Sequence, residues 1–272
     1  MKVPVKLKSI ILFLFVVLSL PALAQEEGLD IYTRAVDQLL TGQMELSLDI
    51  QTTDQKGRVK EKSYDILMAS FGEVEKIRML MQKPERARGI TVVITNRPEE
   101  TGQIEIYTPA NGKIRKMKAT PENIERVGSN FFLSGYASQN PDNLNIRLVG
   151  EQEVEGTNCY RLQVRDEAVA DSSKAEFMVD KGNFQIIRID FFDEKGTQTH
   201  LTTLGEYQIV EGTGGKIQPM LISAEDLAAN TQTTMQVIHV SLRQDVNEEE
   251  FVLQETEAAE YISRNLASVR YL

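Results

Sequence analysis

Few residues in this chain are equipped for covalent chemistry, and their spacing does not bring them together. Cys159 is the only cysteine, and His200 and His239 are the only histidines. A thiol nucleophile needs a nearby base or cation to become thiolate, and nothing in the sequence ties either histidine to Cys159, which reads as an inert buried thiol. There is no His-x-x-His pair, no Gly-x-Ser-x-Gly elbow and no pair of cysteines, so the signatures of a metal centre and of a serine hydrolase are both missing. Gly212-Thr213-Gly214-Gly215-Lys216 looks like a phosphate loop until its surroundings are read. No Ser or Thr follows the lysine and no helical pattern comes after it, so the segment is a hairpin turn. Asp190, Asp193 and Glu194 crowd another turn, where carboxylates are ordinarily solvated rather than cation-binding. The chain is expected to bind rather than catalyse, with no enzymatic activity, cofactor or metal.

What the sequence does offer for binding is soft apolar surface. Nine methionines and no tryptophan are present; Met79 and Met81 share one apolar run, and Met178 and Met235 lie in others. Methionine repacks at little cost around a flexible acyl chain, but it also fills irregular gaps in ordinary cores, and both uses stay open. Met79 and Met81 are two residues apart, so on a strand their side chains point to one face.

The elements that position these residues follow from periodicity. Lys2, Lys6 and Lys8, the apolar run Ile10 to Leu20 and the ending Ala22-Leu23-Ala24 match an export signal. Its eleven apolar residues fall short of the ~20 that span a bilayer. Gln25, not cysteine, follows the expected cleavage point, so no lipid anchor is expected. Residues 1–24 are thus a signal peptide, 25–256 a single domain, and 257–272 a C-terminal tail in which Ala258, Ile262, Leu266 and Val269 keep helical spacing.

After Gln25, Leu29, Tyr32, Val36, Leu39 and Leu40 recur as on one face of a helix that Thr41-Gly42 stops. From Gln43 onward the pattern becomes short alternating or β-branched runs separated by Gly, Asn and Asp turns. Thirteen strands are expected: Met44 to Thr53, Val59 to Phe71, Val74 to Gln82, Gly89 to Thr95, Gln103 to Thr108, Lys113 to Lys118, Leu144 to Glu151, Cys159 to Arg165, Ala175 to Asp180, Gln185 to Phe192, Gln198 to Ile209, Lys216 to Ser223 and Thr231 to Arg243. So many antiparallel strands fit a large curved sheet or barrel better than a small sandwich.

Several runs are apolar on both parities. Ile90, Val92 and Ile94 share a run with Val93, and Ile187, Ile189 and Phe191 share one with Ile186 and Phe192. Both faces must therefore be covered, one of them either by packed core or as a lined cavity; periodicity does not distinguish the two. Between Ala119 and Asn143 the strand pattern lapses. Thr120-Pro121-Glu122 reads as a helix start, and Phe131, Phe132 and Leu133 follow, a segment expected to lie as a lid, or as a fixed plug, over the concave sheet.

Charge narrows the partners. With 30 basic and 40 acidic residues the chain carries a formal −10, which disfavours nucleic acid. Two basic clusters, 83–88 and 113–118, could meet head groups or a partner protein, or could guard a sheet edge against aggregation.

The order and spacing of several short stretches resemble the outer membrane lipoprotein-sorting protein family, the longer relatives of the periplasmic carrier LolA. They include Arg88-Gly89-Ile90-Thr91, Ile106-Tyr107-Thr108-Pro109, Gly128-Ser129-Asn130-Phe131, Cys159-Tyr160-Arg161-Leu162, Phe177-Met178-Val179-Asp180-Lys181 and Phe191-Phe192-Asp193-Glu194-Lys195-Gly196. The resemblance implies a mainly β (α+β) fold: an incomplete, strongly curved antiparallel β-barrel with a helical lid around an apolar cavity. It also implies a soluble, monomeric periplasmic protein that carries acyl chains of lipoproteins or lipids toward the outer membrane. The alternative is an adaptor or lipid sensor docking on an inner-membrane transporter. The residues expected to line cavity and lid are Met79, Met81, Ile90, Val92, Ile94, Phe131, Phe132, Leu133, Met178 and Met235, with Arg88 and Arg115 as contacts for a head group or partner.

Overall fold

Every run that was read as a strand forms one, with ends within three residues of those expected. The strands are β1 (Met44–Thr53), β2 (Val59–Phe71), β3 (Val74–Lys83), β4 (Thr91–Arg97), β5 (Glu100–Thr108), β6 (Lys113–Lys118), β7 (Leu144–Val154), β8 (Thr157–Asp166), β9 (Lys174–Asp180), β10 (Ile186–Phe192), β11 (Gln198–Ile209), β12 (Ile217–Asp226) and β13 (Thr231–Leu242). The computed structural model describes residues 25–97, 100–120, 123, 144–166 and 174–256. The expected signal peptide, the expected lid residues Phe131, Phe132 and Leu133, and the tail after 256 lie outside them. Among the described residues no helix is long and apolar enough to cross a membrane.

The strands are ordered β6-β5-β4-β3-β2-β1-β13-β12-β11-β10-β9-β8-β7 in one sheet. Its two ends, β6 and β7, are not joined, so this mainly β fold is an open antiparallel sheet rather than a closed barrel. Asp54 illustrates how the turns are set: its Oδ1 accepts the backbone N–H of Lys56 at 2.9 Å and of Arg58 at 3.1 Å, closing the β1–β2 turn.

The chain divides into two compact units. The first contains described residues 25–39, 144–166, 174–205 and 224–230. Helix α1 (25–37) buries Gly28, Ile31, Tyr32 and Ala35, the i, i+3, i+4, i+7 stripe of an amphipathic helix. That stripe is one residue away from the expected one, and Leu29 is exposed. The reason is Gly28: a Cβ there would stand 2.6 Å from the backbone nitrogen of Leu148, so glycine lets the helix lie against β7. Tyr32 meets Phe177 edge-on at 5.7 Å. The Arg34 guanidinium lies 4.1 Å from the centre of the Phe184 ring, which stacks on Tyr160, and Gln38 donates to the Phe184 carbonyl. Phe184 holds a left-handed φ of 61°, a conformation that these contacts sustain. A separate cluster in this unit joins Val154, Cys159 and Met178, with Ile187 against it.

The second unit contains described residues 40–97, 100–120, 123, 206–223 and 231–256. Here alternate residues on the same strands feed two different clusters. Val92 and Ile94 join a large one that draws on β1 to β5, β12 and β13, which requires the sheet of this unit to bend around it. Val93 points the other way, into a smaller cluster with Leu67, Ala69, Val246 and Phe251. The chain after β13 supplies that cover. A 3-10 turn (Glu248–Phe251), capped reciprocally by Asn247 and Glu250, presents Phe251 edge-on to Phe71 at 5.8 Å. The expectation that both faces are covered is met here by two distinct packings.

Candidate functional site

The large cluster of the second unit is built in rows. Met44 on β1 pairs with Met68, Met68 with Ile77, Ile77 with Ile94, Ile94 with Ile104 and Ile104 with Met117 on the edge strand β6. The next row runs from Leu46 through Ile66, Met79, Val92 and Ile106. A third holds Leu48, Tyr64 and Met81. Because side chains repeat every second residue, each row projects from the same face. The centre is deeply buried, Ile104 at 0% and Met79 at 1% exposure, whereas Met68, Met81, Ile106 and Met117 are partly exposed around it.

Seven of the nine methionines meet on this face. Met44, Met79, Met220 and Met235 are buried in the cluster, and Met68, Met81 and Met117 pack against it. Of the residues singled out from sequence, the structure brings together Met79, Met81, Val92, Ile94 and Met235. Sequence reasoning missed Met44, Met68, Met117 and Met220, although Met44 shares the parity of Leu46 and Leu48 and Met68 that of Ile66. Ile90 stands just before β4, half-buried; its carbonyl accepts from Met81 N–H at 2.9 Å. Met178 is in the first unit, with Val154 and Cys159 rather than with Met79.

The margins of the apolar face differ in charge. Row two ends on β6 at Arg115, which pairs with Ile106 and lies two residues from Met117, and is therefore on the apolar side. Among the described residues no hydrogen bond or ion pair holds its guanidinium. Lys62 is on the same side, opposite Ile50, and Lys113 reaches Glu255 at 3.4 Å. Arg88 is exposed on the turn after β3, 3.5 Å from Glu85. Beyond Ile77, outside the first row, stands Glu75, opposite Asn96. Partial burial pushes its carboxyl above the usual range, and a hydrogen bond from Asn96 works against that rise.

Outside this face stand the other titratable residues that the sequence brought forward. Cys159 lies 3.5 Å from the Thr157 carbonyl, and burial together with the Asp180 charge pushes its thiol up, away from the reactive thiolate. His200 sits against Thr199 and 3.5 Å from Asp226, and His239 is exposed on β13. Asp190 is buried and receives Arg188 Nε at 2.7 Å and Gln198 Nε2 at 2.8 Å, while Asp193 accepts two backbone N–H groups of its own turn. Among the described residues no group of side chains could hold a metal ion.

A family model described as "-like: Uncharacterized protein" matches residues 73–257. The chain belongs to that family. No curated protein matches it. Solved structures share its fold along nearly their whole length. A DUF1329 family protein from Desulfovibrio piger superposes with a TM-score of 0.70 at 17% identity, covering 85% of this chain and 99% of that one. A putative outer membrane lipoprotein-sorting protein domain from Vibrio parahaemolyticus gives 0.69 at 14% identity, over 84% and 97%. A LolA superfamily protein from Nitrosomonas europaea gives 0.58 at 16%, over 83% and 97%. The fold is LolA-like, as the resemblance in the sequence implied, and at these identities the likeness is one of fold.

Proposed function

We propose that this protein is a periplasmic carrier that takes acyl chains of lipoproteins or lipids onto the methionine-lined face of its second unit. The observation that carries this reading is an internal contrast. On β2, β3 and β4 one face gathers seven methionines with its neighbours, and the opposite face, packed by Leu67, Ala69, Val93 and Phe251, has none. A core that must adopt one arrangement is best filled by side chains with few rotamers. A surface that must mould itself around flexible chains favours methionine. The LolA-like fold agrees with this use, since one of its representatives is named a lipoprotein-sorting domain.

The energetics suit transfer rather than storage. Each methylene removed from water contributes ~0.8 kcal/mol, so one long acyl chain supplies a gross drive on the order of 10 kcal/mol. Displacing whatever covers the methionines and ordering the chain offset much of this, which leaves the cargo releasable. The export signal expected at 1–24 would deliver such a carrier to the periplasm without a lipid anchor of its own.

Native mass spectrometry of the protein recovered from its own periplasm tests the reading. A co-purifying lipid or acylated peptide is expected, as is displacement of a fluorescent acyl probe by added lipid. A ligand-free chain that ignores both probe and lipid would refute it.

A further inference from the structure

We infer that the ligand is an anionic amphiphile, an acyl chain ending in a negatively charged head, seated with its head at Arg115 and its chain along the methionine rows. This inference rests on the carrier reading and specifies its ligand.

The apolar face is flanked asymmetrically. Arg115 is the only inward-facing β6 cation left unpartnered among the described residues, because Lys113 is engaged by Glu255. The other lysines of this edge strand point outward, where Lys116 pairs with Glu105. An outward lysine is enough to discourage edge-to-edge association, and Arg115 on the inward side is not needed for that purpose. Lys62, on β2, is a second inward cation two rows from the Arg115 row on the side away from Glu75. Glu75 stands beyond Ile77, two rows to one side of the Arg115 row, where an anionic head would meet a carboxylate instead of a guanidinium.

Length agrees with charge. From Arg115 the second row crosses five strand spacings, through Ile106, Val92, Met79 and Ile66 to Leu46. At ~4.8 Å per spacing this is about 24 Å. It exceeds the ~15 Å that one leaflet of a bilayer gives to its acyl chains, half of a ~30 Å core. A single chain fits lengthwise with its head at the cationic end. Arginine suits that head, since its fork can donate two parallel hydrogen bonds to a carboxylate or phosphate.

The test uses the full chain and displacement of a fluorescent acyl probe by paired ligands: hexadecanoate against hexadecanol, and phosphatidylglycerol against phosphatidylcholine vesicles. The first pair reads a free fatty acid and the second a lipid head group. At least one anionic member is expected to bind about tenfold more tightly than its neutral partner. Arg115→Gln should erase that preference while leaving the neutral affinity within about twofold, and Arg115→Lys should restore part of it. Arg115 is exposed, so melting temperatures should confirm that both variants fold. Equal binding of charged and neutral partners, or an Arg115→Gln loss that is the same for both, would overturn the inference and leave the carrier reading standing. Failure of every ligand to bind would overturn both.

Discussion

Val92 and Val93 are consecutive residues of one strand, with exposures of 6% and 1%, and they face opposite clusters. Replacing each in turn with threonine keeps the β-branched shape and swaps a methyl for a hydroxyl. A buried hydroxyl without a partner costs ~1–3 kcal/mol. For a chain of this size each kcal/mol lowers the melting temperature by about 2–4 °C, so Val93→Thr, on the sealed side, should melt roughly 2–12 °C below the parent, and Val92→Thr should lose less because the softer methionine face lets water reach its hydroxyl. Binding should separate them. Val92 lies between Met79 and Ile106 in the second row, so an acyl chain on that face must strip water from the new hydroxyl. At ~1–2 kcal/mol this weakens acyl binding about five- to thirtyfold. Val93→Thr changes only the side sealed by Phe251 and should bind within about twofold of the parent. Calorimetry and probe titration, performed well below both melting temperatures, give the two readouts. Equal loss of binding in both variants, or none in Val92→Thr, would refute the assignment of the ligand to the methionine face.

Two further outcomes follow from charge states. Glu75 has its carboxyl raised in the fold, so the native state binds a proton more readily than the unfolded chain; its stability is fully present below the ordinary glutamate pKa near 4.5 and is lost as pH rises through the native value. Glu75→Gln should remove that slope, so the parent's melting temperature should fall relative to the variant's between about pH 4 and pH 7, and a constant difference would count against it. Cys159 is fully buried with its thiol pushed up, so iodoacetamide should label it at least about a hundredfold more slowly in the native protein than in denaturant; equal rates would show the thiol to be accessible.

The strands were legible because each is bounded by residues that cannot continue it. Asp54 to Gly57 closes one hairpin by side-chain hydrogen bonding, and β4 begins at Thr91 rather than Gly89 because Ile90 N–H is taken by the Ala87 carbonyl of the preceding turn. Parity told that Val92 and Val93 face apart, but parity carries no information about what lies over each face. That is why Met178 was grouped with Met79. Both sit on apolar strands, yet β9 pairs with β8 and β10, whereas β3 pairs with β2 and β4. The shifted stripe of α1 has a similar cause, since a glycine scores as a break in a periodic pattern although Gly28 is where the helix comes closest to the sheet. The Asn247-x-x-Glu250 spacing was a readable cap and would have pointed to the segment that covers Val93.

That segment also explains how one face can stay soft. Arg78 donates to the Glu250 carbonyl at 2.7 Å, Lys76 meets Glu248 at 2.9 Å and Lys113 reaches Glu255, but surface ion pairs such as the last two each contribute only ~0–1 kcal/mol. The larger share comes from Phe251, 2% exposed, whose burial is worth ~1.5–3 kcal/mol before its contact with Phe71 is counted. Farther along, Thr256 N–H donates to the Gly112 carbonyl. A Cβ at Gly112 would stand 1.8 Å from the Thr256 carbonyl oxygen, so only glycine lets the segment close on the β5–β6 turn. The outer side of β2 to β6 is thus held by fixed, well-shaped contacts that do not involve the methionines. Rearrangement of the methionine face then costs only its own packing, and the strands that carry it keep their register while it moves.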